Sequence, residues 1–332
     1  MRRQLKRFSL WTLPLLLLCV MTACATGGNG STGHKDLRTM AEEGDAESQE
    51  FLGLAYVLGK GVPQDYREAI KWLTKAANQG SATAQYELGL LYHNGWGSPK
   101  DYVEAKKWYE KAAEQGHIGA RTNLGLLYLM GDGVARNYAT AVAFFESAVK
   151  QGEPDAMTYL GVMYSEGLGV PRDYARAFKL FSLASAQGNA VAQCGLGIMY
   201  QEGQGVQKDT ETAIKWLELS ADQGYEKAMW WLVSIYREYK GVPDGARKRF
   251  YWVEKIAQNG NPDAQLLAAF EYESGESVAR DEIQAYMWYS LSAEGGNESA
   301  AEYRDRLSRK MKPEQISAAR RLVRVWRSQR EQ

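Results

Sequence analysis

The chain has 332 residues, of which 45% are hydrophobic and 24% charged, an ordinary composition for a soluble globular protein. Its 40 basic residues equal its 40 acidic residues, but residues 24–301 carry 26 basic and 36 acidic side chains, whereas residues 302–332 carry 10 and 4. A nucleic-acid-binding array would more often be basic along its whole length, so this layout argues against a nucleic-acid partner.

The N-terminus has the features of a signal peptide. Residues 2–7 are rich in basic side chains, and an apolar run follows at 10–23. The run is too short for a comfortable membrane span and contains Pro14, which argues against a transmembrane helix. We therefore assign residues 1–23 to a signal peptide.

The apolar run ends at 21–24 in the sequence MTAC, which resembles the lipobox of bacterial lipoproteins, although that family usually has Leu where this chain has Met21. The resemblance implies that Cys24 becomes the mature N-terminus and is acylated, and several acyl chains on one residue give durable anchoring. The alternative is an ordinary cleaved signal peptide that happens to contain a cysteine. Cys19 lies in the signal peptide, so Cys194 is left without an intrachain partner and the fold does not depend on disulfides.

Residues 24–34 are rich in Gly, Ser, Thr and Asn after the cysteine, as a flexible tether would be. In the lipoprotein family, Ala25 in place of Asp favours export to the outer membrane over retention in the inner one. If the source is a bacterium with two membranes, we expect a cell-envelope protein anchored at the outer membrane and facing the periplasm.

Three residue ladders recur every 36 positions along the rest of the chain. The glycines stand at 44, 80, 116, 152, 188, 224, 260 and 296, and the tyrosines at 56, 92, 128, 164, 200, 236 and 272. A large apolar ladder comprises Trp72, Trp108, Phe144, Leu180, Trp216, Trp252 and Trp288. An exact internal period of this length is the signature of a repeat array, here of seven units.

Each unit is predicted to hold two helices. In residues 80–116, apolar side chains with helical spacing follow Ser81, and Gly95 ends that helix. Asp101 precedes the second apolar-periodic run as an N-cap, and Gly116 closes the second helix in the left-handed conformation.

The cap position recurs as Asp65, Asp101, Asn137, Asp173, Asp209 and Asp281, and the sixth unit departs with Gly245. Glu104 follows Asp101 by three residues, which predicts a capping-box-like pair. In the first five units a leucine also recurs every 36 residues in the first helix and is followed by glycine, as in Leu88-Gly89. This glycine predicts close approach of the two helices of a unit.

The combined pattern A-x-x-x-L-G-x-x-Y, G-x-G-V, D-Y-x-x-A-x-x-W and A-A-x-x-G over residues 36–301 resembles the Sel-1-like repeat family, a relative of the tetratricopeptide repeat. The resemblance implies an all-α, right-handed α-α superhelix (a solenoid) of seven helix pairs, here over 35–301. It also implies a protein–protein adaptor, in bacteria often at the cell envelope. The chain lacks the cysteine pairs of the family's cysteine-rich branch, so properties of that branch are not carried over.

Residues that could carry catalysis or bind metal do not form a recognisable site. The three histidines, His34, His93 and His117, lack metal-ligand spacing. The one S-x-x-K match, Ser147 to Lys150, falls at the end of a second helix and has no K-T-G or S-D-N companion. We therefore expect no enzyme activity, no metal and no cofactor.

By analogy with tetratricopeptide arrays, the first helix of each pair should line the concave face, and its outward positions vary between units. Trp, Tyr and Arg are favoured at binding hot spots. The predicted partner-binding residues are Tyr86, His93, Asn94, Thr122, Thr158, Gln201, Trp230, Arg237, Glu238 and Glu273.

Residues 302–332 are expected to form basic C-terminal capping helices. Within 313–330 a narrow apolar stripe is surrounded by arginines, which suits the covered end of an array. The alternative is a basic amphipathic helix that contacts anionic lipid or an envelope polymer.

Taken together, these features favour a non-catalytic interaction scaffold that is anchored to the envelope membrane through its lipid and binds a protein or peptide in the concave groove. The alternative is a protein that binds cell-wall glycan (peptidoglycan), or one that regulates a periplasmic cell-wall hydrolase.

Replacing Cys24 by Ser should abolish lipoprotein processing, because the hydroxyl cannot replace the thiol as the acylated group. Metabolic labelling with a fatty acid should therefore mark the wild-type chain and not C24S. Incorporation of label into C24S would show that the anchor has been assigned to the wrong residue.

Overall fold

The computed structural model describes residues 36–330 apart from Lys240 and Val242. The predicted signal peptide, Cys24 and the tether lie outside the described residues. Within these ranges the chain forms seventeen α-helices and no strand. They are α1 Leu37–Glu42, α2 Ala46–Leu58, α3 Tyr66–Asn78, α4 Ala82–Asn94, α5 Tyr102–Glu114, α6 Ile118–Met130, α7 Tyr138–Val149, α8 Pro154–Glu166, α9 Tyr174–Ser185, α10 Ala190–Glu202, α11 Thr210–Asp222, α12 Glu226–Glu238, α13 Gly245–Gln258, α14 Pro262–Ser274, α15 Glu282–Glu294, α16 Glu298–Ser308 and α17 Pro313–Arg330.

Helices α2 to α15 follow one another along the chain as seven successive pairs, and the first helices of these pairs begin 36 residues apart. The chain divides into two compact units, Met1–Arg136 and Asn137–Gln332. Within each unit, consecutive helices up to α16 pack against one another, so that a second helix contacts the first helix of its own pair and that of the next. The predicted all-α array of helix pairs is confirmed.

Seven glycines of the ladder follow the second helices and Gly44 follows α1, and all eight have a positive φ. At Gly116, which has φ +91°, the Gly116 amide donates to the Ala113 carbonyl and the His117 amide to the Ala112 carbonyl, each at 3.0 Å. These bonds satisfy carbonyls that the helix itself leaves unpaired. A side chain would be strained in this conformation, which is why glycine recurs there.

The aspartate ladder both caps the second helices and ties them to the first helices. Asp101 Oδ1 accepts hydrogen bonds from the amides of Val103 at 3.0 Å and Glu104 at 2.9 Å. The Asp101 amide donates to the Tyr92 carbonyl at 2.9 Å, so it is not available for a reciprocal bond from Glu104, which pairs with Lys107 instead. The predicted capping-box pair is therefore wrong, and the tyrosine and aspartate ladders meet through the backbone.

The two helices of a pair touch at the glycine that follows the leucine of the first helix. A Cβ atom built on Gly89 would lie 2.4 Å from the Tyr109 ring, closer than real contacts allow. Similar contacts join Gly53 to Leu73, Gly161 to Phe181 and Gly197 to Leu217. The predicted close approach is confirmed, and the facing residue is the one after the large apolar ladder.

The sixth pair departs from this regularity at the start of α13. The N-cap is Asp244 rather than Gly245, it has φ 58°, and its side chain makes no capping hydrogen bond. The C-cap of the preceding first helix is Tyr239, whereas the C-cap of every other first helix is a glycine, and α13 begins one residue early relative to the 36-residue register.

The C-terminal helix α17 packs against α15 of the last pair. Its Ala319 and Val323 are buried in the core that this pair contributes to, and Ile316 and Trp326 pack at its edge. Arg320, Arg321 and Arg324 remain exposed on the other side. An end-covering helix of this kind protects the apolar face that a terminal repeat would otherwise expose.

A search for membrane-crossing helices finds none of sufficient length and apolar character among the described residues.

Replacing Gly89 by Ala should destabilise the chain by about 1–3 kcal/mol, because the new methyl group overlaps the Tyr109 ring and forces the pair apart. Gly245→Ala is the matched control, since its Cβ would meet only the Tyr236 carbonyl oxygen at 3.7 Å and its φ is not positive. Urea unfolding of both variants checks this. Equal destabilisation would mean that helix contact is not what requires glycine at 89.

Candidate functional site

The candidate site is the first-helix surface, defined as the solvent-facing side of the first helices of the pairs. First helices of neighbouring pairs lie next to each other in both units: α2, α4 and α6 in the first, and α8, α10 and α12 in the second. Residues at corresponding positions of successive pairs are thereby brought together within a unit.

In the first unit, Tyr86, His93 and Asn94 are partly exposed on α4. The Tyr86 ring stacks on His117 with ring centroids 4.3 Å apart, and the His93 ring meets Tyr102 edge-on at 5.1 Å. Asn94 Nδ2 donates to the Leu90 carbonyl at 2.9 Å. These three predicted residues therefore lie at the surface, although each also contacts the chain.

In the second unit, Arg237 and Glu238 are the best exposed of the predicted residues. Each has a side chain 68% exposed, and Arg237 Nη2 lies 3.3 Å from Glu238 Oε1. Exposed ion pairs of this kind contribute little to stability, so both side chains are free to take a partner. Gln201 is partly exposed on α10, and its Oε1 accepts no hydrogen bond from the described residues.

The expectation that Thr122 and Thr158 face outward is wrong. Their exposed fractions are 5% and 2%, and their hydroxyls donate to the carbonyls of Ile118 at 3.3 Å and Pro154 at 2.8 Å. A hydroxyl bonded to its own helix can be buried at little cost, so a small residue fits beneath the neighbouring helix. Cys194, at the same position of its pair, is also buried.

Trp230 is half-buried and belongs partly to the packing between pairs. Its ring packs against the core of the second unit, and its indole N–H donates to Glu226 Oε1 at 3.3 Å. The same Glu226 oxygen accepts a hydrogen bond from Asn261 Nδ2, at 2.9 Å, at the start of the next first helix. Trp230 thus joins α12 to α14 as well as facing solvent.

The Glu273 carboxylate is already bonded to other side chains of the protein. Its Oε2 accepts a hydrogen bond from the Tyr289 hydroxyl at 2.6 Å and lies 3.4 Å from Arg306, and its side chain is only 19% exposed. Burial and this carboxylate raise the pKa of Tyr289. A partner would have to displace these bonds to reach Glu273.

Hydrogen bonds between glutamine side chains link neighbouring pairs, and the sequence analysis did not predict these bonds. Gln85 Nε2 donates to the Ala77 carbonyl at 3.0 Å, and Gln115 Nε2 donates to Gln85 Oε1 at 2.8 Å. Equivalent bonds join Gln79 to Gln49 and Gln223 to Gln193. A periodic feature of the sequence could have predicted these bonds, because glutamine directly precedes the ladder glycine at 79, 115, 151, 187 and 223.

Glu87 was also missed, although it is the only acidic residue at its register. The equivalent residues are Phe51, Asn123, Tyr159, Gly195, Trp231 and Leu267. Desolvation, with a smaller contribution from the Glu50 charge, raises the pKa of Glu87 to about 7. Among the described residues, no donor and no basic side chain pairs with its carboxyl group.

Aromatic rings of α4, α5 and the start of α6 pack against one another in the first unit. The Tyr86 and Tyr109 ring centroids are 6.0 Å apart, and the buried Tyr109 hydroxyl has no hydrogen-bond partner within the described part of the chain. Burial raises the pKa of Tyr109 and lowers that of His117, whose Nδ1 accepts from the Ala120 amide at 3.3 Å. His117 therefore stays neutral at pH 7 and adds no positive charge.

No group of three or more His, Cys, Asp or Glu side chains in the described ranges is arranged to hold a metal ion.

Residues 46–81, 82–117, 119–153, 154–189, 190–225 and 262–297 each match the Sel1 repeat. The chain belongs to the Sel1 repeat family. The match passes over 226–261, which is the sixth helix pair, α12 and α13. The predicted seven units are thus present as helix pairs, and the unmatched one is the pair with the altered α13 cap.

Three solved structures are similar to this chain. A Sel1 repeat protein from Oxalobacter formigenes is 35% identical, with 82% of this chain and 78% of that chain covered and a TM-score of 0.66. A protective antigen of uropathogenic Escherichia coli with an SLR fold is 26% identical, with 87% and 85% covered and a TM-score of 0.42. A Sel1 repeat protein from Klebsiella pneumoniae subsp. pneumoniae is 27% identical, with 58% and 93% covered and a TM-score of 0.41.

No curated protein matches the sequence. Sel1 and related tetratricopeptide-like repeats generally serve as non-catalytic scaffolds for protein–protein interaction, so the residues of the first-helix surface are candidates for partner contact.

The raised pKa of Glu87 predicts a pH-dependent stability. The folded chain holds a proton that the unfolded chain releases at its ordinary pKa of 4.5, so stability should fall as pH rises from about 4.5 to about 7 and then level off. Between pH 5 and pH 8, wild type should lose about 1–3 kcal/mol more than Glu87→Gln, a range reduced for partial exposure.

Urea unfolding at the two pH values measures this difference. Other titrating groups, His117 included, are common to both proteins and cancel. Identical pH profiles would show that the Glu87 carboxyl group is well solvated.

Proposed function

We propose that this Sel1 repeat protein is a non-catalytic scaffold of the bacterial cell envelope, anchored by acyl chains on Cys24, which binds a protein or peptide on its first-helix surface. The observation that carries the proposal is the exposure of Arg237 and Glu238 beside the half-buried Trp230 on α12. An aromatic anchor next to exposed charged groups is typical of binding hot spots in protein interfaces.

The regular frame supports this proposal because it separates residues that build the array from residues that vary. Glycines, aspartates and glutamines at fixed registers position every helix, and the outward positions of the first helices differ from pair to pair. A surface that varies on a constant frame suits specific recognition of one partner. The lipobox-like sequence supports anchoring, and the tether would let the array stand off from the membrane.

A photo-crosslinking amino acid at Glu202 of α10 tests this function in the native cell. Glu202 is exposed on a first helix, and Leu183, 46% exposed on the second helix α9, is the matched control position. We expect a protein adduct of defined mass from position 202 and none from 183. Adducts from 183 alone, or retention on purified peptidoglycan without any protein adduct, would contradict the proposal and favour glycan binding.

Arg237→Ala should reduce the yield of that adduct with little change in thermal stability, because its exposed side chain contributes to association rather than to the core. Loss of a hot spot typically weakens binding by about 2 kcal/mol. Trp252→Ala is the core control and should cost about 3–5 kcal/mol of folding stability, since its ring is only 5% exposed.

Trp230→Ala should fall between these two variants, losing both the adduct and a part of the stability, because its ring contacts the core. Chemical unfolding and adduct yield are measured on all three variants. If Arg237→Ala unfolds the chain, the assignment of Arg237 to a free surface is wrong.

A further inference from the structure

Residues 302–330, at the C-terminal end of the second unit, hold ten basic side chains, which fall into two groups. Four of them bond to another group of the chain: Arg304 to Asp305, Arg306 to Glu273, Arg327 to Glu294 and Arg330 to the Gln258 carbonyl. The other six are exposed, and none forms an ion pair with a described residue: Arg309, Lys310, Lys312, Arg320, Arg321 and Arg324. We call these six residues the basic end surface.

Helix α17 separates its buried side from the arginines of the basic end surface. Ala319 and Val323 are buried in the core to which α15 contributes. Arg320, Arg321 and Arg324 are exposed. Since residues three and four apart are neighbours on a helix, Arg324 lies beside both of the other two. The arginines therefore form one group on the side of α17 that faces solvent.

Helix stability does not require these three arginines. A cation favours the helix dipole only near the last turn, and in α17 that turn holds Arg327 and Arg330. Like charges three or four residues apart repel one another, so the group disfavours the helix by itself. A surface that supplies negative charge would remove this repulsion.

The surroundings of the arginines indicate which kind of surface this is. Val325 directly follows Arg324 and is 50% exposed, so an apolar side chain borders the charged group. Glu314, in the first turn, is the one acidic side chain among the described residues of α17. Guanidinium groups bind phosphate oxygens in pairs, and an apolar side chain beside them can enter the boundary of a lipid layer. The outer side of a helix is a ridge, to which a lipid surface adapts, whereas a protein partner needs a matching groove.

We propose that the basic end surface binds the anionic phospholipid surface of a bilayer, so that α17 both covers the end of the array and holds that end at the membrane. The inference goes beyond the proposed function, because an array on a flexible tether could meet the membrane with any side. Residues 24–301 carry 36 acidic and 26 basic side chains, so an anionic surface repels the rest of the array and favours this end. The contact uses a different surface from the first helices, and it does not require the acyl chains.

An environment-sensitive fluorophore on Val325→Cys tests the contact in the full-length protein. Val103→Cys is the matched control, because Val103 is also a valine, 53% exposed, on α5. The protein is purified from its native cell and reconstituted into vesicles of phosphatidylcholine alone or of phosphatidylcholine mixed with phosphatidylglycerol. We expect blue-shifted emission from position 325 in the anionic vesicles only, lost at about 1 M salt, where the Debye length is about 3 Å. Position 103 should show no shift in either.

Three outcomes would overturn the proposal. The first is an unshifted spectrum at position 325 in anionic vesicles, and the second is an equal shift at position 103. The third is an equal shift at 325 in neutral vesicles; if that shift grows with protein density, a second copy of the chain is the occupant instead of lipid.

Wild type is the labelling control, because Cys194 is buried and an acylated Cys24 offers no free thiol. Dye uptake by wild type would show that Cys24 is free and would contradict the proposed anchor. The response at position 325 is then read as the difference from labelled wild type, so the lipid contact is still tested.

Charge variants separate lipid binding from the covering role of α17. Replacing Arg320, Arg321 and Arg324 together by Gln should abolish the shift, because each basic residue near an anionic surface strengthens binding by about fivefold and three do so on the order of a hundredfold. Replacing the same three by Lys should preserve it. A shift that persists in the glutamine variant would overturn the proposal.

The matched control removes the same net charge from exposed basic side chains of other helices: Arg67→Gln, Lys179→Gln and Lys215→Gln. This variant should keep the shift at position 325. Thermal unfolding should be unchanged or slightly raised in the glutamine variant of α17, because Ala319 and Val323 still bury its other side. Loss of the shift in the control would show that overall charge, rather than the basic end surface, governs the response.

The scaffold proposal is read separately through the adduct at position 202. If position 325 gives no lipid response and position 202 still gives a protein adduct, the lipid contact fails and the scaffold stands. If position 202 gives no protein adduct and position 325 responds to anionic lipid, the scaffold fails and the lipid contact stands.

Discussion

The close contact between the two helices of a pair, shown in four of the pairs, is the constraint on which the rest of the structure depends. At Gly89 the first helix lies so near Tyr109 that no side chain fits between them, and equivalent contacts recur at Gly53, Gly161 and Gly197. The facing residues are among the most deeply buried of the chain. Because packing at this density leaves little freedom, each pair acts as a rigid block, and the array is built by repeating the block.

Polar contacts then join one block to the next. The first-helix caps Ser81, Asn189, Asn261 and Asn297 each bond to an acidic side chain of the preceding pair while they cap their own helix. The buried glutamines add side-chain bonds at the same junctions. Fully paired polar groups at a buried junction fix one arrangement of neighbouring helices, whereas apolar contact alone would tolerate sliding.

Because these contacts within and between pairs hold the helices in place, the outward positions of the first helices are free to differ. In the second unit this freedom yields a half-buried tryptophan beside exposed charges, and in the first unit the stacked, partly exposed rings of Tyr86 and His117. Also in the first unit, the ionised form of Glu87 disfavours folding, because desolvation raises its pKa to about 7. The repeated contacts of the array stabilise the fold enough to tolerate one such unfavourable residue.

The sequence by itself determined the fold class, the period, the helix ends and the close helix contacts. Glycine conformation, aspartate capping and apolar spacing act over a few residues, so the residues they require recur at fixed positions of the 36-residue period. It also predicted the sixth pair's departure at Gly245, although the cap proved to be Asp244. Only the tertiary structure decided which outward positions reach solvent. Thr122 and Thr158 share a register with Tyr86 and Trp230, yet they lie beneath a neighbouring helix, because burial there depends on side-chain size across the junction between pairs. The raised pKa of Glu87 was likewise decided by packing, since it comes mainly from desolvation of the carboxyl group and in smaller part from the charge of Glu50 on another helix.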